Sequence, residues 1–417
     1  MKILKIIHGY PPLYQAGSEV YSQSLVNELL RQGHEVRVFT REENPFAPDF
    51  SIRENGILTV VNLPREKDGY RHASLDNKFS DVVKSFHPDV AHVGHLNHLS
   101  TGIVEVLKAA GVPVVFTLHD FWLMCPRGQF LQTNFGQNEY YRLCDGQEHG
   151  KCARECYRSF WNESENDPES EAYWTRWVER RMAETRRVTE LTDVFLAPSR
   201  RLRERFIRDF GVREDKIVYM DYGFPSEYLS PPEVEHERER FTFGYIGTHI
   251  PAKGVSMLIE AYARLNGRSE LWVWGREAAQ STAALKRMAD GKNVRFMGEY
   301  VNKNIAAEVM SRVDCIVVPS IWQENSPLVI HEAQICGKPV ITADFGGMAE
   351  YVEHGVNGLL FRHRDREDLY RKMRYAVENP DLMRQMGKRG YLYDPKALDV
   401  SEHVKEIVKI YQKLLQK

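Results

Sequence analysis

The chain has 417 residues, 42% of them apolar and 27% charged, with a formal net charge of −2. That length exceeds one ordinary domain and the composition is that of a globular chain with sizeable cores, so two domains are expected. A charge so close to zero excludes a broad electrostatic attraction to nucleic acid or to an acidic membrane.

The first apolar run, Ile3-Leu4-Lys5-Ile6-Ile7, is interrupted by a lysine and ends at a Pro/Gly loop. It is too short for a signal-peptide core or a membrane span and reads as a buried strand over 2–7. Ser18 is the expected N-cap of a helix carrying Val20, Tyr21, Leu25, Leu29 and Leu30 at helical spacing and closed by Gly33. A strand over 35–40 follows, then strands over 89–93 and 112–117 with a helix between them, the alternation of a mostly parallel sheet. Residues 121–175 break the pattern and read as an insertion. A charged helix over 171–191 and a strand over 194–197 come next.

Pro, Glu and Arg dominate residues 221–240, the expected linker. Beyond it, strands over 241–246, 271–274, 294–297, 315–319 and 340–342 alternate with helices over 255–265, 278–289, 305–312 and 327–336. A last helix over 396–416 follows Pro395 and is expected to cross back onto the first domain. The fold class is therefore α/β, two facing doubly wound, Rossmann-like domains with a shared cleft: 1–222 with the tail 396–417, and 223–395.

Ser326-Pro327 reads as a helix start just past the 315–319 strand, with serine capping and proline first in the helix. Such a terminus offers free N–H groups and a positive dipole end to an anion. Glu324 lies in the loop before it and Glu332 within the helix; as pure acceptors, both carboxylates suit pairs of sugar hydroxyls. The glutamate pair, Gly337-Lys338-Pro339-Val340 and Gly346-Gly347-Met348-Ala349-Glu350 resemble the retaining glycosyltransferases of family 4, which have the GT-B fold. The likeness extends over nearly the whole chain: Gly247 to Gly254, Trp274-Gly275, Ala197-Pro198-Ser199 and His119-Asp120 all belong to it.

The resemblance implies roles. Glu324 would bind hydroxyls of the transferred sugar and Glu332 the ribose. Asn325, Ser326 and Pro327 would bind the donor, and the N–H groups of Leu328 and Val329 would hold the diphosphate. Lys253 would neutralise the departing nucleoside diphosphate, and His119 would lie beside the donor sugar. Gly247, Thr248 and Gly275 belong to the donor-binding loops, Phe296 and Met297 line the base pocket, and Ala16-Gly17 lets the backbone approach the donor. The implied reaction is retaining transfer from a uridine or guanosine diphosphate sugar to a glycan or lipid-linked saccharide, with no cofactor or metal required. Thr248 departs from the pattern, standing where relatives often carry arginine.

Rival readings are a nucleotide-sugar epimerase and a non-catalytic nucleotide-sugar-binding protein. The expected compartment is the cytoplasm, with association at the inner face of a membrane as an alternative. His8, His92, His95 and His98 border the acceptor side or are structural. The arginines of 177–188 and 200–208 alternate with glutamates and read as a solvated face. Tyr157, Phe160, Trp161, Tyr173, Trp174 and Trp177 are expected to pack the insertion. Cys125, Cys144, Cys152 and Cys156 fall within about thirty residues and could supply a four-thiolate site for structural zinc; an iron–sulfur cluster or packed reduced thiols are the alternatives.

Overall fold

Apolar side chains on both faces of successive short strands force those strands into a sheet covered on each side by helices. In the computed structural model this happens twice. The structure describes all residues except 64–65, 67–68, 134–140, 159–165, 232–238, 266, 268, 391–397 and 417. Unit 1 comprises Met1–Phe224 and Leu398–Lys417, and unit 2 comprises Pro225–Ala397.

Unit 1 opens with β1 (Lys2–Ile6), α1 (Gly17–Arg31), β2 (Glu35–Glu42), β3 (Ile52–Asn55), β4 (Leu58–Asn62), α2 (Ala73–Phe86), β5 (Val90–Val93), α3 (Gly102–Ala109) and β6 (Val114–Thr117). The insertion holds β7 (Leu131–Gln132), β8 (Arg142–Leu143) and α4 (His149–Cys152), which runs on as a π-helical turn over Ala153–Tyr157. Then come α5 (Pro168–Leu191), β9 (Val194–Ala197), α6 (Arg200–Phe210) and β10 (Ile217–Tyr219). Among the described residues the main sheet has eight strands in the order β10-β9-β6-β5-β1-β2-β4-β3. Only the β3–β4 pair is antiparallel. The chain builds outward from β1 through β2 and then crosses to β5 on the other side, so the topological switch point lies between β1 and β5.

Unit 2 contains β11 (Phe241–Ile246), α7 (Val255–Tyr262), β12 (Ser269–Trp274), α8 (Ala279–Ala289), β13 (Val294–Gly298), α9 (Ile305–Glu308), β14 (Cys315–Val318), α10 (Leu328–Ile335), β15 (Val340–Ala343), β16 (Gly358–Phe361), α11 (Arg366–Glu378) and α12 (Pro380–Arg389). Its described strands form one parallel sheet in the order β13-β12-β11-β14-β15-β16, which puts the switch point between β11 and β14. The tail helix α13 (Val400–Leu415) packs on α1, and its Asp399 caps it by accepting from Ser401 N–H.

Several sequence expectations change. Ser18 is not a cap: α1 begins at Gly17 after Ala16, and the Ser18 hydroxyl donates to Glu19 Oε2 instead. The helix expected over 305–312 breaks after Glu308 into a 3-10 turn, Met310–Arg312. Arg181, expected on a solvated face, is buried with its guanidinium 4.4 Å from the Trp122 ring, because an aromatic face and the carbonyls of Trp122 and Leu123 satisfy it. Tyr157, Trp174 and Trp177 do pack together, with ring centres 4.5–5.4 Å apart. Phe160, Trp161 and the first residues expected of the tail helix, 396–397, lie outside the described residues.

The zinc expectation is also corrected. Cys125, Cys144, Cys152 and Cys156 do line one enclosed cavity of about 10 Å³, with Phe130, Leu131 and Tyr157. Among the described residues, however, no group of three or more His, Cys, Asp or Glu is placed to hold a metal ion. Burial raises the thiol pKa of Cys144, Cys156 and Cys152, the last up to about 12. A neutral thiol is a poor metal ligand.

Candidate active site

In unit 2 two loops at the switch point are locked together by glycines. Gly254, at φ +71°, starts α7, and a Cβ there would fall 2.0 Å from the Pro319 carbonyl oxygen at the end of β14. Ile321 N–H donates to the Ala252 carbonyl at 3.0 Å across the same seam. This approach delivers Lys253, at the end of a 3-10 turn after β11, to Glu324, in the loop after β14. Lys253 Nζ lies 2.6 Å from Glu324 Oε1, and the Ser320 hydroxyl donates to the same oxygen at 2.6 Å. Glu324 is buried and Lys253 half-buried, with its ammonium 5.7 Å from the centre of the Trp322 ring.

The loop 346–347 closes over the other side. A Cβ on Gly347 would overlap the Asn325 carbonyl oxygen at 1.3 Å, and Gly347 N–H donates to the Glu324 carbonyl at 2.8 Å. Only glycine permits that backbone contact. Gly275, at φ +125°, is fixed in the same way, because a Cβ would lie 2.1 Å from the Gly247 carbonyl oxygen. Thr248 presents its carbonyl to the Tyr245 hydroxyl at 3.1 Å.

Helix α10 starts two residues later than Ser326, with Pro327 as its N-cap at φ −65°, ψ 114°. Ser326 is therefore not the cap. Its hydroxyl bonds His331 Nε2 at 2.8 Å, and the His331 ring packs edge-on against Tyr351 at 4.3 Å. Leu328 and Val329 occupy the first helical positions, where an amide has no intrahelical acceptor. Glu332 is buried one turn in, and desolvation pushes its carboxyl up to about 7. Its charge in turn acts on the hydroxyl of half-buried Tyr300, whose pKa is raised mainly by desolvation. Phe296 and Met297 lie half-buried on β13, with the His249 ring 5.7 Å from that of Phe296. Ser320, Tyr245 and Tyr300 were not singled out from the sequence; isolated hydroxyls at strand ends carry no periodic or spacing signal.

His119 and Gly17 belong to unit 1. Gly17 is the first residue of α1. His119, after β6, bonds the Tyr222 hydroxyl through Nδ1 at 2.7 Å, while its Nε2 is buried without a partner among the described residues. Desolvation, then Lys5, His95 and His8, hold its pKa well below the usual value. Lys5 is itself fully buried and has no hydrogen-bond partner among the described residues, and a Cβ on Gly94 would touch both Lys5 Nζ at 3.0 Å and His119 Nε2 at 3.5 Å.

Two Rossmann-like units, one with a lysine–glutamate pair beside a helix N-terminus at its switch point, are the architecture of the GT-B fold. Family models agree. The model described as Glycosyltransferase Family 4 matches residues 16–225, and that of Glycosyl transferases group 1 matches 240–379. The chain belongs to glycosyltransferase family 4.

The N,N'-diacetylbacillosaminyl-diphospho-undecaprenol alpha-1,3-N-acetylgalactosaminyltransferase of Campylobacter jejuni is 24% identical over 51% of this chain. The match spans only 58% of that relative's own length. The D-inositol 3-phosphate glycosyltransferase of Corynebacterium efficiens is 24% identical over 88% of this chain and 84% of its own. The structure of Anabaena Alr3699/HepE with UDP-glucose superposes with a TM-score of 0.69 at 18% identity, covering 99% of this chain and 100% of that one. That likeness concerns the fold.

Proposed function

We propose that the chain transfers a hexose from a uridine diphosphate sugar to a saccharide or lipid-linked acceptor, with retention of anomeric configuration and without a catalytic metal. The observation that carries this reading is the Lys253–Glu324 pair, 2.6 Å apart and next to the first amides of α10. Breaking a glycosidic bond to a diphosphate builds positive charge on the sugar and negative charge on the leaving group. Fixed donors at the phosphate therefore lower the barrier. Lys253 and the amides of Leu328 and Val329 supply those donors, and the α10 dipole adds to them. Once the diphosphate takes Lys253, Glu324 is free to accept from sugar hydroxyls, while Glu332 accepts from the ribose. Gly247, Gly275, Phe296 and Met297 shape the nucleoside pocket, and His119 is unit 1's contribution to catalysis.

The printed names of the relatives support the substrate classes: one acts on a diphospho-undecaprenol-linked saccharide, and the Anabaena protein holds UDP-glucose. Among the described residues no helix is long and apolar enough to cross a membrane. Reaching a lipid-linked acceptor would then require association at the membrane surface.

The test is a thermal-shift panel of UDP, GDP and their sugars, followed by NMR of the product formed in the presence of a chelator. Stabilisation by a uridine nucleotide and a product keeping the donor's anomeric configuration are expected. Clean inversion, or strict dependence on added magnesium or manganese, would overturn the reading.

A further inference from the structure

The chain leaves unit 1 through Tyr222-Gly223-Phe224, and this strap lies against the start of the tail helix α13. Phe224 N–H donates to the Leu398 carbonyl, and Val400 N–H donates to the Phe224 carbonyl at 3.0 Å. A Cβ on Gly223 would fall 2.6 Å from Cβ of His403 and 2.9 Å from Cα of Val400, so only glycine lets the strap lie this close to the helix. The same helix braces α1. His403, buried in α13, bonds the Tyr21 hydroxyl through Nε2 at 2.8 Å. Tyr21 in turn packs on Tyr222, with ring centres 4.6 Å apart.

Both tyrosines converge on His119. Its ring meets Tyr21 edge-on at 5.4 Å and lies nearly parallel to Tyr222, at an interplanar angle of 22°. The 2.7 Å bond between Nδ1 and the Tyr222 hydroxyl is the ring's one hydrogen bond among the described residues. Counting unmade bonds gives its direction. Desolvation, then Lys5, His95 and His8, keep the imidazole neutral, so one of its nitrogens carries a proton and the other a lone pair. Tyr222 is buried, and desolvation, then Tyr21, Asp221 and Asp120, raise its hydroxyl well above the ordinary value, so it keeps its proton. If Nδ1–H donated to the phenol oxygen, both the phenol proton and the Nε2 lone pair would go without partners. If the phenol donates to Nδ1, only Nε2–H does. Each unmade buried bond costs about 1–3 kcal/mol, which favours the donating phenol.

We propose that Tyr222 is a positioning residue for His119: its hydroxyl donates to Nδ1, which fixes the orientation of the ring and places the imidazole proton on Nε2. Tyr222 acts through His119 and touches no substrate itself. A ring bonded at a single nitrogen owes its placement to that bond and to the side chains packed on it. Here those side chains are Tyr21 and Tyr222, and α13 holds both, one through His403 and the other through the strap. The tail helix therefore sets a side chain at the far end of β6 that it does not bond directly. A polar group held in this way needs no reorganisation when the reaction calls on it. The proposal rests on the reading of the chain as a sugar transferase that uses His119.

The test uses the full chain with histidine labelled by nitrogen-15, the His119 resonances being assigned by their loss in His119→Gln. In the free wild type Nε2 is expected at a protonated position and Nδ1 at that of a hydrogen-bonded lone pair. Tyr222→Phe should move both toward a mixture of tautomers. Turnover is read as UDP released from UDP-glucose, UDP-galactose or UDP-N-acetylglucosamine, whichever the wild type consumes fastest. Tyr222→Phe should lower kcat by about tenfold or more while KM and UDP affinity stay within about twofold. In the His119→Gln background the same substitution should change kcat by less than about twofold, because the two residues act as one unit. Equal losses in both backgrounds overturn the proposal. So does a proton found on Nδ1 of the wild type, an outcome that needs no variant and decides the matter should Tyr222→Phe fail to fold. UDP binding followed by calorimetry keeps the two readings apart. A wild type that neither binds nor releases UDP defeats the transferase reading, whereas turnover indifferent to Tyr222 defeats only this proposal.

Discussion

The two units place their polar groups at the same topological point and make opposite electrostatic choices there. Unit 2 sets an ammonium against a carboxylate across β11 and β14, with Lys253 and Glu324 at 2.6 Å. Unit 1 sets two histidines side by side across β1 and β5, each turned toward a carboxylate, His95 with its second nitrogen already accepting from Asn97 N–H. Sheet topology alone explains why a site exists in each, since both crevices follow from the reversal of strand order. The residue types decide what each can hold. Fixed opposite charges suit a diphosphate and the sugar hydroxyls beside it; a cluster of imidazoles offers no such fixed charge. The same scaffold thus carries two unlike polar clusters through a handful of side chains.

Removing a charge from unit 2 should have the largest effect. Glu324→Ala is expected to lower kcat by about 10²–10³, the scale of losing one preorganised polar contact at a transition state. Its melting temperature should stay near that of the wild type, because Glu324 sits in a loop with solvent-reaching Lys253 as its partner. Lys253→Ala should reduce kcat more than it weakens UDP binding, since leaving-group charge grows toward the transition state. Wild-type turnover by Glu324→Ala, measured by UDP release, would break the contrast at its stronger end.

How much of this contrast was legible beforehand depends on what each residue reports. The β11–β14 loops were readable because glycines at 254, 275 and 347 mark backbone contacts where a Cβ would overlap a carbonyl. Strand–helix alternation exposed both sheets, yet β3, with mostly exposed residues, gave no apolar period and went unseen. Ser326 looked like a cap because Ser-Pro usually is one; its hydroxyl bonds the ring of His331, in the first turn of α10, instead. The Glu19–His8 contact was hidden for a simpler reason. It depends on how α1 is set against β1, and Ser18 had been read as the cap at that point. Arg181 illustrates the same limit, as a helix pattern cannot announce an aromatic face waiting across the insertion.

Unit 1 also buries a lysine in its sheet, and it sharpens the comparison. Lys5 is buried in β1 with no hydrogen-bond partner among the described residues, and desolvation lowers its pKa from the ordinary 10.5 to about 7. Between those two values the unfolded chain binds more protons than the native one, so this residue makes stability rise with pH across that window. Below pH 7 its full cost is present. Lys5→Met should therefore stabilise the protein by about 2–5 kcal/mol at pH 6, with the gain shrinking to nothing above about pH 10.5. Urea melts at several pH values measure this. A variant less stable than the wild type at pH 6 would mean that Lys5 has a partner in solution.

A smaller effect is expected from Glu332. Its carboxyl is pushed up to about 7 by desolvation, so it binds more protons folded than unfolded, and its contribution to stability falls as pH rises from the ordinary value toward 7. Ribose binding has the opposite slope, because only the ionised carboxylate is a pure acceptor for two hydroxyls. UDP affinity should thus drop about tenfold between pH 8 and pH 6, following the ionised fraction. Calorimetry with 2′,3′-dideoxy-UDP provides the control, since phosphate protonation affects both ligands but only UDP engages Glu332. Equal pH slopes for the two nucleotides would remove Glu332 from the ribose site.

The smallest change is expected where the sequence suggested the largest dependence, in the cysteine-lined cavity of unit 1. Its four thiols surround a space of about 10 Å³, room for one small ion. Holding a metal there would require several of them to ionise. Burial opposes that at Cys144, at Cys156 and at Cys152, which is pushed up to about 12. The aromatic packing of Tyr157 on Trp174 and Trp177 next to the cavity supplies an apolar cluster that a metal would otherwise have to replace. Treatment with a chelator should therefore shift the melting temperature by no more than about 1 °C, the scale of a few tenths of a kcal/mol. Protein purified without chelator should carry less than about a tenth of an equivalent of zinc or iron, against the full equivalent that a structural site retains. A stoichiometric metal, lost together with several degrees of stability, would show that the thiols rearrange in solution and that unit 1 relies on a charged centre after all.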